Sequence, residues 1–395
     1  MNETRPLDDA TRQLQAGTDA LRRGDARAAR AHLLQALESG RRDATVFVGL
    51  AYASLALNDH EAKMAAVEQL LAIEPRNIRG LMLKGDHLLR QGDGRSAVPF
   101  YQAALQSAAD ERTLPADLKP ELERAQQMTE RYLAEYQDHL ASALRERGFD
   151  PARASPRFTQ SLELLLGRKQ VYVQQPRYFY FPELPQIQFY DRQRFPWLDE
   201  LESATDDIRD ELLELMKSPQ DFAPYVQSKT DRPNKSQQGM RDNPDWSAAY
   251  LIKHGAEVTP NAERCPRTMA ALANAPLARV PQRSPSVLFS VLTGGTRIPP
   301  HNGIVNTRLI CHLPLIVPGR CVFRVGNDVR EWQYGKAWVF DDTIEHEAVN
   351  TTSETRVILL FDIWRPELTE EERALVTALF ESIDAYSGKR PDWTI

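Results

Sequence analysis

The chain has 395 residues, enough for two or three domains, and its 42% apolar and 26% charged residues are typical of a globular protein. Its formal net charge of −6 gives no electrostatic reason to bind nucleic acid or an anionic membrane. No apolar run approaches the roughly 20 residues that span a bilayer, no apolar signal segment follows Met1, and the three cysteines lack CxxC spacing, so we expect a cytoplasmic protein without a membrane span.

Residues 10–111 contain a repeat with a period of 34 residues. A shift of twice that period aligns Gly17 with Gly85 and Ala29 with Ala97, since 85 − 17 and 97 − 29 both equal 68. The copy between them is weaker but in phase. Small residues at this period are typical of stacked helical hairpins and resemble the tetratricopeptide repeat (TPR). The pattern leaves open whether the repeats bind a peptide in a concave surface or serve as a spacer or oligomerisation module.

A boundary follows the repeats. Residues 117–147 predict one long helix that caps them, and Gly148, Pro151 and Pro156 then indicate a linker. We therefore predict a TPR-like all-α domain with its capping helix over residues 1–150, a linker over residues 151–169 and a second domain over residues 170–395.

The first part of the second domain mixes aromatic, helical and polar segments. Its predicted elements, in chain order, are an aromatic β-like stretch over 171–181, a helix over 204–217, a polar loop over 227–245, a strand from Trp246 and a helix over 265–277.

Short strands dominate the second domain from Ser286. They are predicted over residues 287–292, 306–315, 321–325, 329–332, 336–340, 345–349 and 356–364, followed by a helix over 370–386. Many short, evenly spaced strands favour a β-sandwich or barrel, and a double-sheet jelly roll of the cupin type fits best. The predicted fold class is therefore α+β and multidomain.

Polar residues fall on one face of two of these strands. Because side chains alternate between the faces of a strand, Arg308, Ile310 and His312 share one face, and the residues between them are apolar. Arg356 is the first residue of the last predicted strand, and every second residue after it shares its face. An unpaired buried charge is costly, so Arg308, His312 and Arg356 either point outward into solvent or point inward and hold an anion. The histidines on neighbouring strands favour the anion.

Two histidines stand in distinctive settings, His301 after two prolines and His346 after an acidic turn. Two histidines with one carboxylate form a common iron site, but the position two residues after His301 is Gly303. Asp341 and Asp342 precede His346, and turn formation is their preferred interpretation. These residues alone leave the metal site incomplete.

Combined motifs give the C-terminal half a specific resemblance. They are His301-Asn302-Gly303, Asn306-Thr307-Arg308, His312-Leu313-Pro314, Phe340-Asp341-Asp342, His346-Glu347-Ala348 and Asp362-Ile363-Trp364. Together they resemble the aspartyl/asparaginyl β-hydroxylase family, densely over residues 290–368. The resemblance implies an oxygenase on a double-stranded β-helix that depends on iron(II), 2-oxoglutarate and O2.

The resemblance also implies roles for individual residues. His301 and His346 match the iron ligands, and the missing carboxylate at Gly303 is a family trait. Arg356 matches the arginine that pairs with the distal carboxylate of 2-oxoglutarate, aided by a serine. The remaining matches to the cosubstrate site are Ser290, His312 and Trp246.

One departure from the family pattern concerns cosubstrate binding. Some members have a second arginine at the position of Ile310. Arg308 lies on the same predicted face, and we hypothesise that it substitutes for that arginine.

The implied activity is hydroxylation of a C–H bond, above all the β-carbon of an aspartyl or asparaginyl side chain in a peptide or protein that the TPR-like domain helps to bind. Three alternatives remain at this stage. The first is a TPR adaptor with a weak or inactive oxygenase domain, the second is a lipid acyl-chain hydroxylase, and the third is a zinc cupin.

Overall fold

A computed structural model describes residues 6–111, 113–228 and 240–387 of the chain. The chain divides into two compact units, Met1–Leu166 and Gly167–Ile395. Most of the predicted polar loop over 227–245, namely residues 229–239, lies outside the described residues. No helix in the described ranges is both long and apolar enough to cross a membrane.

The N-terminal unit is built from helices throughout its described residues. They are α1 (Pro6–Arg22), α2 (Ala26–Glu38), α3 (Ala44–Ala56), α4 (His60–Ile73), α5 (Ile78–Arg90), α6 (Gly94–Asp110), α7 (Leu118–Glu146) and α8 (Pro156–Leu165).

The turns within three helical hairpins recur at the predicted period. Each turn pairs a residue of positive φ with an aspartate, in Gly24-Asp25, Asn58-Asp59 and Gly92-Asp93. Glycine and asparagine adopt the left-handed backbone at low cost. Each aspartate then accepts a hydrogen bond from the backbone N–H three residues later and caps the following helix. The aspartates are 34 residues apart, since 59 − 25 = 93 − 59 = 34, and the predicted helical repeat is confirmed.

Close helix contacts occur where the repeat predicts small residues. Ala29 and Ala97 are fully buried, and a Cβ added to Gly85 would lie 2.7 Å from the ring of Tyr101. The equivalent position of the middle repeat is Lys63, since 63 − 29 = 34. Its side chain is also fully buried, and burial lowers its pKa. The weak middle copy therefore keeps the backbone of the repeat while burying a charged side chain in its core.

The C-terminal unit combines short helices with two antiparallel sheets. Its helices are α9 (Leu198–Ser203), α10 (Thr205–Leu215), α11 (Thr259–Arg264), α12 (Pro266–Ala271) and α13 (Glu370–Ser387). Its strands are β1 (Ala223–Pro224), β2 (Trp246–Lys253), β3 (Ala256–Glu257), β4 (Val287–Leu292), β5 (Arg297–His301), β6 (Arg308–Ile316), β7 (Cys321–Val325), β8 (Asp328–Glu331), β9 (Trp338–Phe340), β10 (His346–Asn350) and β11 (Arg356–Trp364).

Strand order places the last strand in the middle of the larger sheet. That sheet has the order β1-β2-β4-β11-β6-β9, with β3 also paired to β2, and the smaller sheet has the order β5-β10-β7-β8. The apolar faces of β4, β6 and β11 form one core with helices α9 and α10. Their opposite faces turn toward the smaller sheet and contribute to a second apolar cluster with it. The functional residues predicted from the alternation of faces lie on this second side.

Three sequence predictions were wrong in detail. Strand β5 was missed because it contains Pro299 and Pro300, which cannot donate ladder hydrogen bonds; β5 is an edge strand, where proline is tolerated. The aromatic stretch 171–181 has only an isolated bridge, from Phe179 to Val305, and no extended ladder. The helix predicted over 265–277 is limited to α12.

A buried ion pair fixes the turn that leads into β10. Asp341 and Arg365 are both fully buried and form a salt bridge. Asp341 also accepts hydrogen bonds from the side chain of Gln174 at 2.6 Å and from the backbone N–H of Thr343 at 3.0 Å. The turn role preferred for Asp341 is thus present, and Arg365 carries the balancing charge.

Replacement of Arg365 by methionine should lower the free energy of unfolding of the C-terminal unit by about 3–5 kcal/mol, because Asp341 would stay buried without its cation. Urea denaturation followed by tryptophan fluorescence reports on this unit, since all six tryptophans follow residue 167. Lys217→Met, which removes an exposed ion pair with Glu214, is the control and should change stability by less than about 1 kcal/mol. Equal effects of the two variants would contradict the assignment.

Candidate functional site

A cavity between the two sheets brings the predicted site residues together. Its wall includes Trp246 of β2, Ser290 of β4, His301 of β5, Arg308, Ile310 and His312 of β6, His346 of β10 and Arg356 of β11. All seven residues predicted to act at the site, together with Ile310, therefore lie on one wall surface. A shared position does not assign a role to any of them; the hydrogen bonds, burial and charge of each side chain do.

The two histidines face each other across neighbouring strands. His301 is the direct partner of His346 in the β5–β10 ladder, and their ring centroids are 4.1 Å apart. The Nδ1–H of His301 donates to the carbonyl of Pro299 at 2.8 Å, and that of His346 donates to the carbonyl of Ile344 at 3.1 Å. Each ring therefore keeps its Nε2 lone pair for a metal.

Burial keeps both rings in the form that binds metals. It lowers the pKa of His301 to about 4 and the pKa of His346 well below the usual value. A neutral imidazole pair with free Nε2 atoms suits iron, zinc or copper. No further His, Cys, Asp or Glu joins the pair in a metal-binding cluster within residues 6–111, 113–228 and 240–387.

Asp342 occupies the space beside Gly303. A Cβ built on Gly303 would clash with the carboxylate of Asp342, so no side chain fits there without displacing that carboxylate. Burial raises the pKa of Asp342 to about 6, against the opposing effect of Arg308. The absent carboxylate at position 303 is thus enforced by packing.

Arg356 is a buried cation without a carboxylate partner among the described residues. It is 1% exposed, its NH1 donates to the carbonyl of Ser290 at 3.4 Å, and its guanidinium lies 4.6 Å from the ring centroid of Trp332. Its Nε has no hydrogen-bond partner in the part of the chain that the structure describes. Burial lowers its pKa to about 10, so it stays charged at neutral pH and is suited to bind an anion.

Arg308 is buried as well, but its charge is balanced. Its NH1 is 3.0 Å from Asp362 and its NH2 is 3.4 Å from Asp342. Burial lowers the pKa of Arg308, and the two carboxylates overcome this effect and raise it. Sequence reasoning missed both carboxylates as site residues. The alternation along β11 was a usable signal for Asp362, which shares a face with Arg356.

His312 and Trp246 complete the wall. The ring of His312 lies 4.7 Å from that of Phe340, its Nδ1 has no partner among the described residues, and burial lowers its pKa. Trp246 stacks on Tyr225 at 4.4 Å, with its ring 6.2 Å from that of His301. Sequence reasoning missed Trp332 and Tyr225, because neither stands in a metal- or anion-binding pattern.

Comparison with known proteins shows what this region is similar to. Residues 202–366 match the family model described as Aspartyl/Asparaginyl beta-hydroxylase. An ornithine lipid ester-linked acyl 2-hydroxylase from Rhizobium tropici is 34% identical over 180 residues, which are 45% of this chain and 60% of the relative. The aspartate beta-hydroxylase domain-containing protein 2 of Xenopus tropicalis is 30% identical over 220 residues, 53% of this chain and 55% of the relative.

The similarity covers only part of each relative. The human aspartyl/asparaginyl beta-hydroxylase is 33% identical over 143 residues, 36% of this chain and 19% of that protein. The chain thus spans 19–60% of the length of these curated relatives. Among solved structures, the Arabidopsis OM64 TPR domain is 13% identical and aligns with 32% of this chain and 98% of its own, with a TM-score of 0.28, too low to bear on the fold.

Replacement of Gly303 by alanine should cost about 1–3 kcal/mol of stability, because the new Cβ displaces the Asp342 carboxylate. The same substitution made in an Asp342→Ala background should cost clearly less, since the obstructing group is gone. Urea denaturation of the four proteins in this double-mutant cycle measures both costs. An identical cost in the two backgrounds would exclude Asp342 as the obstacle.

Proposed function

Because residues 202–366 match the aspartyl/asparaginyl β-hydroxylase family, we propose that this chain is an iron(II)- and 2-oxoglutarate-dependent dioxygenase that hydroxylates a C–H bond. The observation that carries the proposal is a buried guanidinium, with no carboxylate partner among the described residues, in the same cavity as two imidazoles whose pKa burial lowers. Such a cation is costly to maintain, which supports an anionic ligand that also reaches the metal. A dicarboxylate with an oxo-acid chelating end has both properties.

The residues of the chain would divide the work. His301 and His346 would hold iron(II) through Nε2, and iron bound there would supply oxygen activation coupled to decarboxylation of 2-oxoglutarate. Arg356 would fix the distal carboxylate through its planar fork of N–H donors. Ser290 and His312 would contact the same cosubstrate, and the indole of Trp246 would limit water at the metal.

Arg308 has a lesser part in this proposal. Its position on the same face as Ile310 supports a contact with the cosubstrate, but Asp342 and Asp362 already share its charge. We therefore assign the main anion-binding role to Arg356.

The substrate we propose is an aspartyl or asparaginyl side chain in a peptide or protein, hydroxylated at its β-carbon. The TPR-like repeats would help to bind that partner. The cavity also supports a second candidate, a lipid acyl chain. Its apolar lining includes Ile298, Ile310 and Ala348. A neutral acyl chain needs no cation, so Arg356 stays available for the cosubstrate. The relative from Rhizobium tropici is named as an acyl hydroxylase.

Several finer predictions belong to the same proposal. The two antiparallel sheets with a cavity between them support a double-stranded β-helix of the jelly-roll type. A TPR-like domain over residues 1–150, a linker over 151–169 and an oxygenase domain over 170–395, in a cytoplasmic protein, remain predictions.

Full-length protein supplied with iron(II), 2-oxoglutarate and oxygen should form succinate, measured by chromatography. A His301→Ala, His346→Ala double variant is the control and should form none above background. Absence of succinate above this control, with asparaginyl peptides and acyl lipids present, would favour the adaptor alternative. Zinc in anaerobically purified protein, without a 2-oxoglutarate-dependent absorption band after iron addition, would instead support a zinc cupin.

The two buried arginines form a matched pair of variants for cosubstrate binding. Arg356→Met should weaken 2-oxoglutarate binding by about 2–5 kcal/mol, because a desolvated carboxylate loses its partner. Arg308→Ala should weaken binding less, since its charge is already balanced by two carboxylates. Calorimetric titration gives both dissociation constants. An unchanged affinity in Arg308→Ala would remove Arg308 from the cosubstrate site, and an unchanged affinity in Arg356→Met would contradict the proposed anion site.

A further inference from the structure

Trp332 is the principal described contact of the Arg356 guanidinium. The side chain of Trp332 is 4% exposed and lines the cavity, and Cζ of Arg356 lies 4.6 Å from its ring centroid. Among the described residues Arg356 makes one hydrogen bond, to the carbonyl of Ser290, and that bond is long at 3.4 Å. The face of the indole therefore acts with this weak hydrogen bond to set where the cation lies.

The indole is itself held in place by other rings. Trp332 stacks on Trp338 with ring centroids 5.8 Å apart and an interplanar angle of 26°. Its centroid lies 5.3 Å from that of Phe323, and Phe323 stacks on Trp338 at 6.3 Å and 12°. These three rings, which we call the aromatic wall, leave Trp332 little freedom to move.

An aromatic partner and a carboxylate partner differ in how much of the charge and how many N–H donors of a guanidinium they leave available to a ligand. Asp342 and Asp362 balance the charge of Arg308 and lie beside its NH2 and NH1 groups. The face of Trp332 attracts the guanidinium through its quadrupole, which offsets part of the cost of burial. A ring face neutralises no charge and accepts no conventional hydrogen bond, so Arg356 keeps its net charge and its Nε donor for a carboxylate.

We infer that Trp332 is a positioning residue for the cosubstrate, which fixes Arg356 at a set distance from the two histidines and thereby selects the length of the dicarboxylate. This inference rests on the proposed function. Arg356 lies on the larger sheet and the two histidines lie on the smaller sheet, and all three line the cavity. A cation held in place against that pair would favour one diacid length, which the proposed function sets at five carbons. The four-carbon oxaloacetate and the six-carbon 2-oxoadipate should then bind more weakly.

The test uses full-length protein with manganese(II) in place of iron, so that binding is measured without turnover. Calorimetric titration gives the dissociation constants for 2-oxoglutarate, oxaloacetate and 2-oxoadipate. Trp332→Leu should raise the constant for 2-oxoglutarate by about 10- to 30-fold, the range of a desolvated cation–π contact, and should reduce the preference over 2-oxoadipate. Trp332→Phe keeps a ring and should restore most of both.

Trp197→Leu is the matched control, because it removes a tryptophan that packs on Phe361 and does not line the cavity. It should leave the selectivity between the three diacids unchanged. Equal changes in Trp197→Leu and Trp332→Leu, or unchanged selectivity in Trp332→Leu, would overturn the inference. If Trp332→Leu does not fold, Trp332→Met decides, since it also lacks a ring and a selectivity identical to that of wild type in this variant would overturn the inference. Wild-type protein that binds none of the diacids would instead contradict the proposed function.

Discussion

A guanidinium enclosed by protein needs compensation for the water it has lost, and this requirement organises the C-terminal unit. Arg283, Arg308 and Arg365 are each buried, and each is compensated by one or two carboxylates. Those pairs join segments that are distant in sequence, and Arg308 lines the cavity together with its two carboxylates. Arg356 is compensated by the face of Trp332 instead. The need to compensate a buried guanidinium therefore gives ion pairs at three arginines and leaves the fourth, Arg356, available to bind an anion.

Strand periodicity made much of the site predictable. Alternation of side chains is enough to put Arg308 and His312 on one face of β6 and to put Arg356 on one face of β11, and both faces line the cavity. A period of two is a strong signal because a slip of one residue would bury the opposite set of side chains. Within the N-terminal unit the 34-residue period was equally informative, since the turns and caps repeat with it.

Pairing between strands was beyond reach of the sequence. The partnership of Arg308 with Asp362 depends on the register of β6 against β11, in which Trp364 lies opposite Arg308. That register is set by packing across the sheet and not by local spacing. Strand β5 escaped detection because edge strands tolerate prolines that otherwise end a strand. The burial of Lys63 could not be predicted from the sequence either. The 34-residue period gives its position in the repeat, but it does not show whether the charged side chain is exposed.

The central place of β11 makes the contacts of the larger sheet less local in sequence than those of the helices. In the N-terminal unit each helix packs mainly on its neighbours in sequence. The larger sheet is different, because β4 and β6 are separated by β11, which comes near the end of the chain. The larger sheet is therefore continuous only with this strand between them. The same strand carries Arg356, so the architecture and the binding chemistry depend on one segment.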